Sequence, residues 1–88
     1  MNISSENRDR ESVVLKIIGD ELDIKPEHLQ DSASLVKDLN ADSLALLNIV
    51  MKVEERFKIN VPDDEWRKLT TVGDIISYVR RVSDTVAS

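Results

Sequence analysis

The sequence contains no cysteine. The chain can therefore form no disulfide, no thiolate metal site and no thiol nucleophile, which is typical of proteins in a reducing compartment. Long apolar runs are missing as well. The first dozen residues are polar and contain no signal-peptide core, and no segment reaches the apolar length that a membrane span needs. We therefore expect a cytoplasmic protein that does not insert into membranes.

Basic residues are in the minority, with 12 Lys and Arg against 17 Asp and Glu and a net charge of -5. A surface of this sign repels phosphate backbones and attracts basic partners, which argues against nucleic-acid binding. The 88 residues suffice for one domain with a small core, and they leave little room for a deep catalytic cleft. Length and charge together favour a protein that binds or carries over one that catalyses.

Helical spacing dominates the apolar pattern, and no segment is a clear strand. Apolar residues between Val13 and Leu22 recur every three or four positions and predict a first helix from about Glu11, started by Ser5 or Ser12. Thr70 or Thr71 caps a last helix, whose apolar residues are Val72, Ile75, Ile76, Val79 and Val82. The chain is expected to be a single domain over residues 1–88, with flexible ends at about residues 1–10 and 83–88.

A long connection runs from Asp23 to Asn40 without a sustained period. Such loops are uncommon in small domains and are usually functional or disordered. Spaced apolar residues indicate order, with a helical turn expected at Pro26 to Leu29. The expected apolar anchors of the loop are Ile24, Leu29, Leu35, Val36 and Leu39.

A second helix is predicted from about Ser43 to Phe57. Lys58 to Pro62 is then expected to be extended, because a residue before proline is pushed out of the α region. A short helix follows at Asp63 to Lys68, capped by Asp63.

Two apolar faces run along the second helix. On a helical wheel one arc is the expected core face, and it carries Leu46, Ile49, Val50, Val53 and Phe57. A second stripe consists of Leu44, Leu47 and Met51, called here the apolar limb. Exposed apolar residues rimmed by charge indicate a partner site; the alternative is that the limb packs under the long loop.

Asp42 and Ser43 are both good caps, and they stand side by side at the start of this helix. If Asp42 is the cap, the hydroxyl of Ser43 is free. A helix N-terminus offers backbone donors and a positive dipole end, which suit an attached anion such as a phosphodiester. The alternative is that Ser43 is an ordinary first helical residue.

Three further sites fail on residue type or spacing. Asp38, Asn40 and Asp42 alternate as in a calcium loop, but the required Gly and Glu positions hold Ser43 and Ile49. A serine hydrolase would pair Ser43 with His28, the only histidine, and no third group is indicated. The acidic pairs Glu54–Glu55 and Asp63–Asp64 are interpreted as solvated helix-end charges. We predict no catalytic residue and no metal site.

The stretch DLNADSL, from Asp38 to Leu44, resembles the prosthetic-group signature of bacterial type II acyl carrier proteins. The similarity extends from about Val13 to Arg81 without evident gaps. It implies an all-α fold, a four-helix bundle with a long first loop and a short third helix. It also implies that Ser43 carries 4′-phosphopantetheine, transferred from coenzyme A by a phosphopantetheinyl transferase. A member of this family is no enzyme; it carries acyl thioesters for fatty acid, lipid or polyketide-type biosynthesis.

The resemblance also implies functional surfaces. The residues that it assigns to partner binding are Asp42, Leu44, Leu47, Met51, Glu54, Glu55 and Asp63. The partners would be acyl-transferring or condensing enzymes with basic docking patches. The bulky residues Leu46, Trp66 and Ile75 stand near the expected acyl pocket, so we expect a restricted or reshaped one. A small charged carrier is expected to be a monomer.

Several positions depart from the family pattern. Asn40 stands in place of the usual Gly, which indicates a left-handed position that Asn tolerates. Ala45 and Asn48 replace acids, and Arg56 interrupts an acidic run. These changes favour a carrier dedicated to its own set of enzymes. The alternatives are an aminoacyl or peptidyl carrier, and a cofactor-free helical module for protein interaction.

Overall fold

Four α-helices make up the fold, given by a computed structural model that describes the backbone of residues 3–87 and the side chains of residues 9–82. They are α1 (Ile3–Leu22), α2 (Ser43–Phe57), α3 (Asp63–Trp66) and α4 (Val72–Ala87), with a 3₁₀ turn at Pro26–His28 between α1 and α2. Within the described backbone no strand forms, and one isolated antiparallel bridge joins Ser34 to Thr71. The predicted all-α bundle, with its long first loop and short third helix, is confirmed.

The core lies between α1, α2 and α4, which pack against one another in all three pairs. Val14 and Ile18 of α1 are fully buried there. The other helices add Ile49, Val53, Val72, Ile75, Ile76 and Val79. The long loop adds Leu29, Leu35 and Ala41, so it is part of the core and adds to the apolar area that drives folding.

Helix α1 begins eight residues before the expected start at Glu11. The predicted caps Ser5 and Ser12 are wrong, because both lie inside the helix. The prediction followed the apolar face, which begins only at Val13. The residues before it include Glu and Arg, which are good helix formers and can continue a helix without a buried face.

A left-handed residue ends α1. Asp23 has φ 58°, and the backbone N–H of Ile24 donates to the carbonyl of Gly19 at 2.9 Å. This is the 6→1 hydrogen bond of a Schellman motif. A Cβ at Gly19 would overlap the carbonyl oxygen of Ile24, so glycine permits this close turn.

The loop is ordered largely as predicted. The 3₁₀ turn occupies the expected position, Leu29 and Leu35 are buried, and Ile24 and Leu39 are partly buried against the core. Val36 as an anchor is wrong, because 54% of it is exposed. It directly follows buried Leu35 in a turn, and only one of the two neighbouring side chains points inwards.

Helix α2 has the predicted bounds, but the following segment differs. Lys58 is left-handed at φ 56° and ends the helix, so the extended run starts after it. Helix α3 stops at Trp66 rather than Lys68. Asp63 as its cap is also wrong: Pro62 takes the cap position without a side-chain bond, and Asp63 is the first helical residue.

Helix α4 starts with a reciprocal cap. The N–H of Asp74 donates to Oγ1 of Thr71 at 3.1 Å, and the N–H of Thr71 donates to Oδ2 of Asp74 at 3.1 Å. This capping box confirms Thr71 as the predicted cap. The backbone remains helical to Ala87. The expected flexible ends, at about residues 1–10 and 83–88, consist mostly of residues whose side chains lie outside the described set, and their flexibility stays a prediction.

Candidate functional site

The approach to α2 is fixed by the loop and by the start of α4. Asn40 is left-handed at φ 58°, as its place in the sequence predicted. The next residue, Ala41, is buried and donates its N–H to the carbonyl of Leu35 at 2.8 Å. Leu35 in turn donates its N–H to the carbonyl of Thr70 at 2.9 Å. These bonds hold the first turn of α2 against the base of α4.

Asp42 and Ser43 play different parts at the helix start. Oδ1 of Asp42 accepts the N–H of Ala45 at 2.8 Å, and the Asp42 carbonyl accepts the N–H of Leu46 at 3.0 Å. Asp42 is therefore the cap, as predicted. Ser43 is the first helical residue and is exposed. Its hydroxyl makes no hydrogen bond to the described residues, so it is accessible for modification.

Two backbone donors beside that hydroxyl are also free. Among the described residues, no acceptor is found for the N–H of Ser43 or of Leu44. Such orphan donors at a helix N-terminus attract anions, since they add to the positive end of the helix dipole. The local chemistry therefore fits a phosphate ester on Ser43.

The apolar limb is exposed. Leu44, Leu47 and Met51 are 66%, 42% and 56% accessible, and with Val36 they are the large exposed hydrophobic residues of the described part. The alternative that the long loop covers the limb is therefore wrong. The loop packs into the core through Leu35 and Ala41 and leaves the outer face of α2 open.

Asn48 and Lys52 lie on the side of α2 that meets α1. Nδ2 of Asn48 donates to Oε2 of Glu21 at 3.1 Å, and Nζ of Lys52 donates to Oε1 of the same carboxylate at 2.9 Å. These two donors, Lys52 first, hold the pKa of Glu21 below its ordinary value. An acid in place of Asn48 would face Glu21, so one departure from the family pattern has a structural explanation.

The acidic residues predicted to face partners differ in their surroundings. Oε2 of Glu54 accepts the N–H of Val61 at 2.8 Å in a partly buried position. Oδ1 of Asp63 accepts the indole N–H of Trp66 at 3.2 Å. Glu55 is exposed and has no such bond among the described residues. Glu54 and Asp63 therefore have structural contacts of their own, which the charge pattern alone did not reveal.

A groove of about 590 Å³ lies between the loop, α2 and α3. It contains two of the three predicted pocket residues, Leu46 and Trp66, but not Ile75, and we call it the loop groove. Its other lining residues are Ser34, Leu35, Val36, Lys37, Arg67, Leu69 and Thr70. The sequence missed Leu35, Val36 and Leu69 as site residues; the unexplained apolar residues of the loop were the available signal.

Ile75 lies behind this groove, in the core. It lines a small internal cavity of about 10 Å³ together with Ile49, Val50, Val53, Val61, Leu69, Tyr78 and Val79. Leu69 lines both spaces. Leu69 therefore lies next to both the open groove and the interior beside Ile75.

The rejected sites have no support in the geometry. No hydrogen bond joins Ser43 to His28, which is exposed in the 3₁₀ turn. Among the described residues no group of three or more His, Asp or Glu is placed to hold a metal ion. None of the described helices is long and apolar enough to span a membrane.

The sequence is similar to those of known proteins. The family described as "Phosphopantetheine attachment site" matches residues 12–79, which include Asp42, Ser43 and the apolar limb. The acyl carrier protein of Wolinella succinogenes is 38% identical over 66 residues, 75% of this chain and 87% of that protein. The acyl carrier protein of Chlamydia muridarum is 41% identical over 70 residues, 80% of this chain and 91% of that protein. This chain belongs to the acyl carrier protein family.

The fold agrees with that of a solved relative. The structure of the acyl carrier protein from Enterococcus faecalis superposes with a TM-score of 0.72 at 30% identity, over 83% of this chain and 92% of that one. Acyl carrier proteins are carriers and not enzymes, they hold 4′-phosphopantetheine covalently, and they work with acyl chains and partner enzymes. The predicted family, cofactor and absence of enzymatic activity are confirmed by these relatives.

Proposed function

We propose that Ser43 is the residue to which 4′-phosphopantetheine is attached, and that the chain delivers acyl groups from it to partner enzymes. The observation that carries this proposal is the exposed Ser43 hydroxyl, which has no hydrogen bond to the described residues because Asp42 caps the helix. When bound, the group supplies a thiol that holds the acyl chain as a thioester. The chain has no cysteine that would compete with that thiol.

The first turn of α2 orients the attachment. The unpaired N–H groups of Ser43 and Leu44 and the positive end of the α2 dipole favour the phosphodiester. Asp42 holds the helix end in place while Ser43 reacts. A separate phosphopantetheinyl transferase supplies the group from coenzyme A.

Partner enzymes dock on the outer face of α2. Leu44, Leu47 and Met51 provide apolar contact close to Ser43, since Leu44 is its neighbour in sequence and 66% exposed. Glu54 and Asp63 lie on the side of α3, whereas Glu55 lies on the polar side of α2 next to Asn48 and Lys52. These acidic residues attract basic patches, which favours rapid and transient association. Such exchange suits a carrier that must visit several enzymes.

The loop groove is the proposed acyl site. Leu46 lies one helical turn from Ser43 and lines the groove with Trp66. Trp66 is held by its indole bond to Asp63, so it restricts the groove on one side. An acyl chain that extends from the groove to Ile75 passes Leu69, because Leu69 lines both spaces.

The pathway is proposed only by class. We infer a cytoplasmic, monomeric carrier for fatty acid, lipid or polyketide-type biosynthesis, dedicated to its own acyl-transferring or condensing enzymes. The support is that Ala45, Asn48 and Arg56 remove negative charge from α2. The similar proteins are named as acyl carriers, which favours this function over an aminoacyl or peptidyl carrier.

A mass measurement tests the attachment. The protein is incubated with coenzyme A and a broad-specificity phosphopantetheinyl transferase, and intact masses are recorded for the wild type, Ser43→Ala and Ser77→Ala. Ser77 is an exposed serine of α4 and serves as the matched control. We expect one phosphopantetheine adduct on the wild type and on Ser77→Ala, and none on Ser43→Ala. No adduct on the wild type, with a control carrier modified in parallel, would favour the cofactor-free interaction module.

A second experiment tests the acyl site. Acyl groups of increasing length are attached, and amide shifts are followed by NMR for residues of the loop groove and for Ile75. We expect short chains to shift Leu46 and Trp66, with Ile75 responding only to longer ones. Smooth uptake of long chains with no step at Ile75 would contradict a restricted pocket.

A further inference from the structure

A second groove, of about 460 Å³, lies between α1 and α2 and is separate from the loop groove. We call it the α1–α2 groove. It contains Arg56, to which the proposed function assigns no contact. Its lining residues are Val13, Lys16, Ile17, Asp20, Lys52 and Arg56.

The charge of this groove is opposite to that of the whole chain. Three cations face one acid there, whereas the chain carries a net charge of -5. Lys52 is bound to Glu21, but neither Lys16 nor Arg56 has an ion pair with the described residues. Two cationic heads therefore remain available at the edges of the groove.

The groove also has an apolar component. Val13 and Ile17 are each only partly buried and contribute to its lining. Apolar walls reduce the local solvent, and an ion pair formed beside them is stronger than one in open water. Arg56 is placed over the Phe57 ring, with its guanidinium carbon 5.7 Å from the centroid.

The position of the groove relates it to the apolar limb. At about 100° per residue, Lys52 and Arg56 fall on the α1 side of α2, whereas Leu44, Leu47 and Met51 occupy its outer face. Lys52 directly follows Met51 in the sequence. A protein that rests on the limb can therefore extend over the edge of α2 and reach Lys52 and Arg56.

We propose that the α1–α2 groove binds a carboxylate-rich segment of a partner protein that docks on the apolar limb. The inference rests on the proposed function in that this partner is an enzyme served by the carrier. Carboxylates of the segment pair with Lys16 and Arg56, and its apolar residues contact Val13 and Ile17. The partner's docking surface is thus basic towards α3 and acidic towards α1. This mixed pattern rejects enzymes with uniformly basic surfaces, because like charges that are brought together carry a penalty.

An NMR titration with a defined probe tests the groove. The full-length protein is titrated with a capped helical peptide that has Glu on one face and Leu on another, and with the same peptide carrying Gln in place of Glu. We expect saturable amide shifts within residues 13–20 and 52–56 for the Glu peptide and much smaller ones for the Gln peptide. Binding should weaken at high salt. Equal responses to both peptides, or no saturable shift with the Glu peptide, would overturn the proposal.

Matched variants locate the response. The double variant Lys16→Gln with Arg56→Gln should bind the Glu peptide roughly tenfold more weakly, because it loses two ion pairs. Lys25→Gln, which removes an exposed cation in the loop, should bind like the wild type. Amide spectra of each variant establish that it is folded. An equal loss for Lys25→Gln would show that only net charge matters and would refute a specific groove.

Two further measurements distinguish the groove from the attachment site and a protein segment from a lipid surface. Ser43→Ala should bind the Glu peptide as the wild type does. Failure of phosphopantetheine attachment and failure of peptide binding are therefore separate results. Sedimentation with phosphatidylglycerol vesicles tests an anionic membrane as the ligand. Vesicle binding that depends on Lys16 and Arg56, without peptide binding, would replace the protein partner by a lipid surface.

Discussion

Oε2 of Glu54 accepts the backbone N–H of Val61 at 2.8 Å. This bond joins the last turn of α2 to the segment that leads into α3, where Val61 is buried. If a buried N–H group loses its acceptor, no water molecule can replace that acceptor, and the unsatisfied donor lowers the stability of the folded state. Glu54 therefore stabilises the fold whether or not a partner enzyme contacts it.

Glu54→Ala should lower the free energy of unfolding by about 1–2 kcal/mol, because the Val61 N–H is left without an acceptor. Urea denaturation followed by circular dichroism measures the change. Glu55→Ala is the matched control, since Glu55 is exposed, and it should change stability by less than about 0.5 kcal/mol. Equal effects of the two substitutions would show that the bond to Val61 does not stabilise the fold.

Lys58→Gly should raise the free energy of unfolding by about 1 kcal/mol, because a residue with a Cβ is strained in the left-handed region and glycine is not. Lys58 has φ 56° at the end of α2. Thermal and urea unfolding give the difference. The control is Lys25→Gly at φ -66°, where glycine should destabilise by about 0.5–1 kcal/mol through chain entropy. The same sign for both variants would contradict the backbone explanation.

Asp74 makes the stability dependent on pH. Partial burial raises the pKa of Asp74, but the hydrogen bonds from Thr70 and Thr71 outweigh it, and the net pKa lies below the ordinary value of 3.8. As the pH falls, the unfolded chain takes up a proton at this carboxylate first. The stabilisation is therefore complete above that ordinary value and is lost as the pH falls through the lowered pKa of the folded state.

Asp74→Ala should lower the free energy of unfolding by about 1 kcal/mol at neutral pH, as expected for a capping box that loses the carboxylate bonded to Thr70 and Thr71. The difference from the wild type should narrow at pH of about 3, because at that pH the unfolded wild-type chain has mostly taken up a proton at Asp74, whereas the folded chain resists protonation there. Urea midpoints at both pH values measure it. Asp20→Ala, at an exposed position, should differ from the wild type in free energy of unfolding by less than about 0.5 kcal/mol at both pH values. A difference for Asp74→Ala that stays constant would rule out the charged cap.

Leu44→Ala should slow transfer of phosphopantetheine to Ser43 while leaving stability nearly unchanged. Leu44 is 66% exposed, so its side chain adds little to the core. In the docked complex with the transferase, loss of a contact of about 1 kcal/mol should reduce kcat/KM by about fivefold. Intact-mass time courses at several protein concentrations give that ratio. Val36→Ala is the control, because Val36 is comparably exposed but lies off the apolar limb. Equal slowing by both would argue against docking through the limb.

The sequence was sufficient where a local signal existed. The bounds of α2 were predictable because Asp42 gives a cap and the apolar pattern ends at Phe57. The left-handed Asn40 was predictable because Asn stands there in place of the Gly that is usual in the family. The start of α1 was not, because a helix that continues beyond the core needs no apolar face. The cap of α3 failed for a related reason: Asp63 is a good cap by type, but its carboxylate bonds the indole of Trp66 instead.

The site was predictable only as far as single residues. That Asp42 caps α2 and leaves the Ser43 hydroxyl exposed was predictable, because the two residues are neighbours at the start of one helix. The bond of Asn48 to Glu21 joins α1 to α2. It could not be predicted, because the sequence pattern does not give the orientation of one helix relative to the other. The same limit explains why Ile75 was grouped with Leu46 and Trp66, although it lies in the internal cavity and they line the groove.

The pairing of the loop with the base of α4 supports the start of α2. Ala41 is bonded to Leu35, and Leu35 to Thr70, so the start of α2 is held by a residue that directly precedes α4. A nascent or damaged chain that lacks a docked α4 lacks this support. Under the proposed attachment at Ser43, a transferase that requires the ordered helix end would modify folded chains and leave misfolded copies unmodified.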